Sequence, residues 1–137
     1  MFELDPQLAK DSIVVTDLSL CRVLLANDCQ YPWLILVPMR ENITEIIDLS
    51  AEDQQLLWRE SAFIAQLMRD CFQPNKLNIA ALGNMVPQLH LHHVARYHTD
   101  IAWPKPIWGQ HDAIAYPPAQ AQQLVADLVE KIEAGLN

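Results

Sequence analysis

A short apolar run between two prolines constrains the fold of this chain most strongly. Residues Trp33 to Val37 are all hydrophobic, and Pro32 and Pro38 bound them on either side. Five consecutive apolar residues between breakers are typical of a strand that is covered on both faces. This run therefore predicts a central strand, and the rest of the chain must supply the neighbouring strands and the layers that cover them.

Four further segments have strand-like patterns of β-branched and apolar residues, bounded by turn-forming residues. These segments are 13–16, 20–25, 77–82 and 89–95. The first two are separated by three residues only, which is a hairpin signal. Together with the central run, they predict an antiparallel sheet of about five strands.

Two long segments have helical periodicity. The first begins after Ser50, a good N-cap residue, and is expected to end near Phe72. The second follows Pro117 and Pro118, and its apolar residues recur at intervals of three and four with charged residues between them. A short third helix is expected at 6–11. The predicted fold class is therefore α+β, an antiparallel sheet with two main helices.

Composition favours one globular domain spanning residues 1–137, because hydrophobic residues make up 51% of the chain and charged residues only 19%. Three cysteines without CxxC spacing argue against a disulfide framework and a thiolate zinc site. Three glycines are too few for a Gly-rich phosphate loop. The acidic start lacks the features of a signal peptide, and no apolar run is long enough to span a membrane. We therefore expect a cytoplasmic protein without a membrane partner.

The charge is unevenly distributed. The net charge of −8 argues against a nucleic-acid polymer as a partner. Residues 74–110 nevertheless carry three cations against the single Asp100, and they contain four of the five histidines. This segment therefore favours a small anionic ligand. Two of its cations, Arg96 and Lys105, could raise the local potential for such a ligand or could simply be solvated.

The chemistry is concentrated between Gln88 and His93. In a strand, Gln88, His90 and His92 share one face, while the leucines between them face the core and His93 joins the leucines. Spacing alone leaves three interpretations open. One imidazole could attack phosphorus while another donates to its oxygens, the two histidines could ligate a metal, or both could be ordinary side chains of a half-exposed strand.

This segment resembles the signature of the histidine triad (HIT) family, whose members end a strand with His-φ-His-φ-His-φ-φ. Aligned without gaps, Gln88, His90 and His92 fall on the three triad positions. Residues 83–86 then replace the short Gly-Gln-Ser/Thr-Val run that often precedes the family's triad. The apolar strand that closes with Pro38 and the helix after it are also similar to the family's elements.

The resemblance implies a HIT-like fold and an enzyme that hydrolyses or transfers nucleotides. His90 would be the nucleophile that forms a nucleotidyl-histidine intermediate, and His92 would donate to the phosphate oxygens. Gln88 would hydrogen-bond in the site as an uncharged substitute for the first triad histidine. Asn84 matches the family's phosphate-side glutamine, and Asn27 lies near a ribose-contacting position or is only a turn residue.

The substrates that the resemblance implies are dinucleoside polyphosphates, as for a diadenosine polyphosphate hydrolase, or nucleoside phosphoramidates. It implies no metal, no other cofactor and a homodimeric assembly. Two departures oppose full activity, because Gln88 cannot act as an acid at neutral pH and Met85 lacks the hydroxyl of the family's serine or threonine. A catalytically weak nucleotide-binding module is therefore the alternative, and a His-ligated metal site is the third.

The connection at 101–117 is rich in proline and tryptophan. A structureless connection of that length in a small domain usually belongs to a site or an interface. Trp103 and Trp108 are therefore expected to pack at a subunit interface or over the nucleotide site.

Overall fold

The computed structural model describes residues 1–136 and is built around a five-stranded antiparallel sheet. Its elements follow one another as α1 (Pro6–Asp11), β1 (Ser12–Asp17), β2 (Cys21–Ala26), β3 (Trp33–Pro38), a 3₁₀ turn (Ile46–Asp48), α2 (Ala51–Phe72), β4 (Lys76–Ala80), β5 (Leu91–Arg96) and α3 (Pro118–Leu136). The strands lie in the order β1-β2-β3-β5-β4, and every pair is antiparallel. The α+β prediction and the central position of the proline-bounded run are confirmed.

Helices α2 and α3 cover one face of the sheet. The Ser50 hydroxyl accepts a hydrogen bond from the Asp53 backbone N–H at the start of α2, as the sequence predicts. Leu57, Ile64 and Met68 of α2 are fully buried against alternate residues of the strands, and α3 adds Leu128 and Ile132 to the same core. This layer fixes the register of the sheet, because a shift by one residue would reverse the face of every side chain.

The opposite face is covered only in part. Leu8 of α1 packs there against Leu24 and Ile35, and a second cluster of Tyr31, Val94, Ala102 and Ile107 lies beside it. The space between α1 and this second cluster remains open, and it forms the cleft described below.

The last predicted strand begins two residues later than expected. The sequence places it at 89–95, whereas β5 spans Leu91–Arg96. Leu89 donates its backbone N–H to the carbonyl of Ile43, in the connection after β3, and so bonds to no neighbouring strand. Its side chain and that of Leu91 nevertheless both enter the helix-covered core, so the predicted alternation of faces holds from Leu89 onward.

No helix within residues 1–136 combines the length and apolar character that crossing a bilayer requires.

Candidate active site

A cleft of about 640 Å³ opens on the sheet face opposite α2. Its volume is in the range of pockets that hold small molecules. Side chains from β3, from the start of β5, from α1 and from the connections at 82–86 and 101–117 line it. His90 and His92 are both among the lining residues, and both are more than nine-tenths buried. The structure thus brings His90 and His92, which the resemblance predicts as catalytic residues, together in one cleft.

The orientation of the His90 ring is set by the main chain. Its Nδ1 lies 2.7 Å from the carbonyl oxygen of Gln88. A carbonyl oxygen can only accept, so Nδ1 carries the proton of the neutral ring and Nε2 keeps its lone pair. His90 therefore has the tautomer that a nucleophile acting through Nε2 requires.

His92 has the opposite tautomer. The indole Nε1–H of Trp33 donates to Nδ1 of His92 across 3.0 Å, so the proton of the neutral ring is on Nε2. Burial, together with the neighbouring His90 and His93, lowers the pKa of His92 to about 3. At neutral pH His92 is therefore an uncharged hydrogen-bond donor. The two rings lie edge to face, with centroids 4.8 Å apart.

His93 faces the helix-covered core, as the alternation predicts. It is fully buried, and its Nε2 lies 2.8 Å from the hydroxyl of Ser61 on α2. Burial lowers the pKa of this imidazole to about 4. His93 therefore has a structural role and takes no part in the cleft. Among residues 1–136, no three His, Cys, Asp or Glu side chains are grouped so as to hold a metal ion.

Gln88 is not brought into the cleft with the two histidines. Its Oε1 accepts from the backbone N–H of Asp5 at 2.8 Å, and its Nε2 donates to the carbonyl of Glu3 at 2.9 Å. Both ends of the amide are therefore occupied by the N-terminal segment, and Gln88 is absent from the lining of the cleft. The alternation that the sequence predicts therefore does not extend back to Gln88, whose side chain turns towards the start of the chain.

Asn27 and Asn84 both line the cleft. Asn84 is exposed, and it follows Gly83, whose φ of +74° turns the chain between β4 and β5. The Oδ1 of Asn27 accepts from the backbone N–H of Tyr116 at 2.9 Å. Asn27 thus anchors the segment before α3, and only its amide NH₂ remains to face a ligand.

The tryptophan connection contributes one of its two tryptophans to the cleft, together with Ala113. Trp108 lies at its wall, with ring centroids 5.3 Å from His92 and 6.5 Å from Trp33. Trp103 lies elsewhere, against His98 and over the guanidinium of Arg96. Sequence patterns identified the loop but could not separate the roles of the two tryptophans.

Arg96 is not a phosphate-binding cation of this cleft and is not solvated. Its side chain is only 1% exposed, and its Nε and Nη2 donate to the carboxylate of Asp100 at 2.8 and 3.0 Å. Nη1 donates to Asn78. Burial opposes ionisation of Asp100, but Arg96 and the backbone N–H of Tyr97 outweigh it and lower the pKa of Asp100 to about 2. Arg96 and Asp100 therefore anchor the connection that follows β5.

The fold is therefore an antiparallel sheet whose central strands carry a pair of buried, oriented imidazoles, and these face a cleft of small-molecule size. A family model described as the HIT domain matches residues 7–99. The chain belongs to the histidine triad (HIT) family, whose members are generally nucleotide hydrolases or transferases.

Solved structures of other proteins match this structure along nearly the whole chain. A histidine triad protein from Marinobacter aquaeolei VT8 is 46% identical, covers 98% of both chains and has a TM-score of 0.95. One from Bradyrhizobium japonicum is 42% identical over 96% of this chain and 98% of its own, with a TM-score of 0.92. A histidine triad nucleotide-binding protein from Sulfolobus tokodaii, 14% identical over 90% of this chain and 85% of its own at a TM-score of 0.60, shares the fold. The curated proteins include no match to this chain.

Proposed function

We propose that this protein hydrolyses or transfers the nucleoside monophosphate group of a phosphate-linked substrate through a covalent intermediate on His90. The observation that carries the proposal is the 2.7 Å contact between Nδ1 of His90 and the Gln88 carbonyl. In the neutral ring, that contact puts the lone pair on Nε2, and the cleft around the ring has the volume of pockets that hold small molecules. Dinucleoside polyphosphates and nucleoside phosphoramidates are the two substrate classes.

In the first step, Nε2 of His90 attacks the phosphorus and forms a P–N bond. The bond to the leaving group breaks, and that group departs with the bonding pair and takes a proton from water. In the second step, water attacks the phosphorus and the P–N bond breaks. The nucleoside monophosphate is released, His90 regains its lone pair, and the proton of the attacking water passes to solvent; in transfer, another acceptor replaces this water.

His92 stabilises the charge that develops on the non-bridging oxygens. Its neutral Nε2–H is available as a donor, because Trp33 already occupies Nδ1. Its low pKa keeps it from competing for a proton at neutral pH. A fixed dipole of this kind requires little reorganisation as the transition state forms.

The remaining cleft residues bind the rest of the nucleotide. In this proposal Asn84 binds the phosphate side and the amide NH₂ of Asn27 binds the ribose hydroxyls, which is supported by the presence of both residues in the lining of the cleft. Trp108, Ile35 and Val86 provide apolar surface for a base. The proposal also includes a homodimer, which sedimentation would test independently of turnover.

A nucleotide-binding module with little turnover is the second candidate function. It is favoured by the position of Gln88, whose amide is engaged by the N-terminal segment and cannot protonate a leaving group. In that case the cleft would retain its affinity for nucleotides, and His90 would never be modified.

The test compares the wild-type protein with His90→Asn, each with and without a chelator. AMP binding is measured calorimetrically, and turnover is measured with diadenosine tetraphosphate and with an adenosine phosphoramidate. We expect His90→Asn to keep AMP affinity within about threefold and to lose turnover by several orders of magnitude. Intact-protein mass spectrometry should detect an adenylyl adduct on the wild type only.

Other outcomes separate the alternatives. Wild-type protein that binds AMP without turnover would be a binding module, and activity that the chelator abolishes would indicate a metal site. Substantial turnover by His90→Asn would exclude His90 as the nucleophile.

A further inference from the structure

The first eleven residues form one side of the cleft, and we call them the N-terminal wall (residues 1–11). Leu8, Lys10 and Asp11 of this wall are among the residues that line the cleft. Leu8 is 6% exposed and packs against the sheet beneath the cleft. The wall is therefore part of the ligand's surroundings, and its position determines how wide the cleft is.

Gln88 joins this wall to the middle of the chain. Its side-chain amide bonds to the backbone of Glu3 and Asp5, 85 and 83 residues away in sequence. Both bonds are made to main-chain groups just before α1 begins, so they hold the start of this helix against Gln88. Elsewhere the wall is held by the ion pair between the Met1 amino group and Glu41, and by Phe2 under the guanidinium of Arg22.

The same residue also orients the catalytic imidazole. The main-chain carbonyl of Gln88 accepts from Nδ1 of His90, while its side chain holds the wall. A ligand between the wall and His90 is therefore bounded on two sides by groups that Gln88 positions. The amide of Gln88 supplies both an acceptor and a donor, and the wall uses both of them.

The wall also supplies a charge that the rest of the cleft lacks. Among the described residues that line the cleft, Lys10 is the sole lysine or arginine, whereas Asp11 and Asp28 are acidic. The described contacts of residues 1–136 include no ion pair for Lys10, and its side chain is exposed at the end of α1. Arg96 is paired with Asp100 and does not line the cleft, so Lys10 is the cation that the described cleft surface offers to an anionic ligand.

We propose that the N-terminal wall is a ligand-binding element, in which Lys10 binds the anionic phosphate portion of the ligand and Gln88 is the positioning residue that holds the wall in place. This inference rests on the proposed function for the identity of the ligand. It assigns the first triad position a role in binding in place of a role in proton transfer.

The experiment uses two variants of the full chain, each with a matched control. Gln88→Leu removes both side-chain bonds and keeps the main-chain carbonyl, and its control is Gln66→Leu on the exposed surface of α2. Lys10→Met removes the charge and keeps the length of the side chain, and its control is Lys131→Met on the exposed side of α3. The readouts are hydrogen exchange of the amides of residues 2–9 and the Kd for AMP and for adenosine.

We expect Gln88→Leu to speed amide exchange in the wall at least tenfold and to raise the Kd for AMP about five- to tenfold. Lys10→Met should raise the Kd for AMP by a similar factor that shrinks at high salt, and should leave the Kd for adenosine unchanged. If turnover is present, both variants should change KM more than kcat. The two controls should match the wild type throughout.

Unchanged exchange in Gln88→Leu would overturn the positioning role of Gln88, whether or not any nucleotide binds. An AMP Kd for Lys10→Met within twofold of the wild type would overturn the binding role of Lys10 while the proposed function stands. Failure of the wild type to bind AMP would instead overturn the proposed function, and with it the assignment of Lys10.

Discussion

Trp33 and His92 are joined by a hydrogen bond from the indole Nε1 to the imidazole Nδ1, 3.0 Å long, between two neighbouring strands. An indole nitrogen can donate and never accept, so this contact selects one of the two neutral forms of His92. The contact also leaves the other ring nitrogen with its proton. In the mechanism that we propose, that N–H donates to the phosphate, so the role of His92 would depend on a residue of β3 that carries no reactive group.

Trp33→Phe tests this dependence, because phenylalanine retains much of the aromatic packing and loses the donor. We expect kcat to fall about tenfold and the Kd for AMP to change less, since the interaction matters most in the transition state. Long-range ¹⁵N–¹H spectra should show a single Nε2–H form of His92 in the wild type and a mixture in the variant. The control is Trp58→Phe on the exposed surface of α2. An unchanged tautomer in Trp33→Phe would contradict the assignment.

The buried histidines make stability depend on pH. The pKa of His92 falls from 6.5 to about 3, and that of His93 to about 4. Below pH 6.5 the unfolded chain takes up protons that the folded protein does not, so stability falls as the pH drops from 6.5 towards these values. Each of the two rings should lower the free energy of unfolding by about 2 kcal/mol between pH 7 and pH 5.

Urea denaturation of the wild type and of His93→Asn at the two pH values measures this effect. We expect the free energy of unfolding of His93→Asn to change about half as much between the two pH values as that of the wild type, whatever the stability of the variant at pH 7. His111→Gln removes an exposed histidine and should keep the full dependence. If the free energy of unfolding changed equally with pH in the wild type and in His93→Asn, the lowered pKa of His93 would be contradicted.

Asp100→Asn should destabilise the fold severely. It leaves the guanidinium of Arg96, 1% exposed, without its ionic partner, and breaking a buried pair in this way costs about 3–5 kcal/mol. Asp17→Asn breaks a more exposed ion pair with Arg22 and should cost about 1 kcal/mol or less. Denaturant titrations of the two variants should therefore differ clearly, and similar values would argue against a buried ion pair at Arg96.

Trp108→Ala should weaken nucleotide binding. The indole lines the cleft and touches both Trp33 and His92, so its removal deprives a base of apolar surface and loosens the His92 ring. We expect the Kd for AMP to rise about tenfold, while the sedimentation coefficient stays that of the wild type. Trp58→Ala, on the exposed side of α2, should change neither quantity. A loss of association with unchanged affinity would place the role of Trp108 at a subunit interface.

The sequence predicts those parts of the site that depend on local periodicity. Alternation along residues 89–93 correctly assigns His90 and His92 to one face and His93 to the other, because the leucines between them leave one choice of core side. The N-cap at Ser50 is correct for the same reason, since it needs only residues within one helical turn.

The parts that could not be predicted depend on contacts distant in sequence. Gln88 bonds to residues 83 and 85 positions earlier, and no periodicity signals such a contact. The Trp33–His92 bond requires that β3 and β5 be neighbours, which depends on the strand order of the whole sheet. The ion pair of Arg96 could not be predicted for another reason. A cation at the end of a strand is usually solvated, whereas here a turn brings Asp100 back to it.

Because the two faces of β5 differ, a change in chain length is tolerated less well within this strand than in the connection before it. Every residue of β5 is buried, and successive residues face opposite sides of the sheet. His93 contacts Ser61 on one side, and His92 contacts Trp33 on the other. One residue inserted within the strand would exchange these surroundings for each residue beyond it. An insertion at 82–86, in an irregular and mostly exposed connection, would leave both imidazole environments in place. In the region from β4 to β5, insertions that preserve folding should therefore be confined to the connection before Leu89.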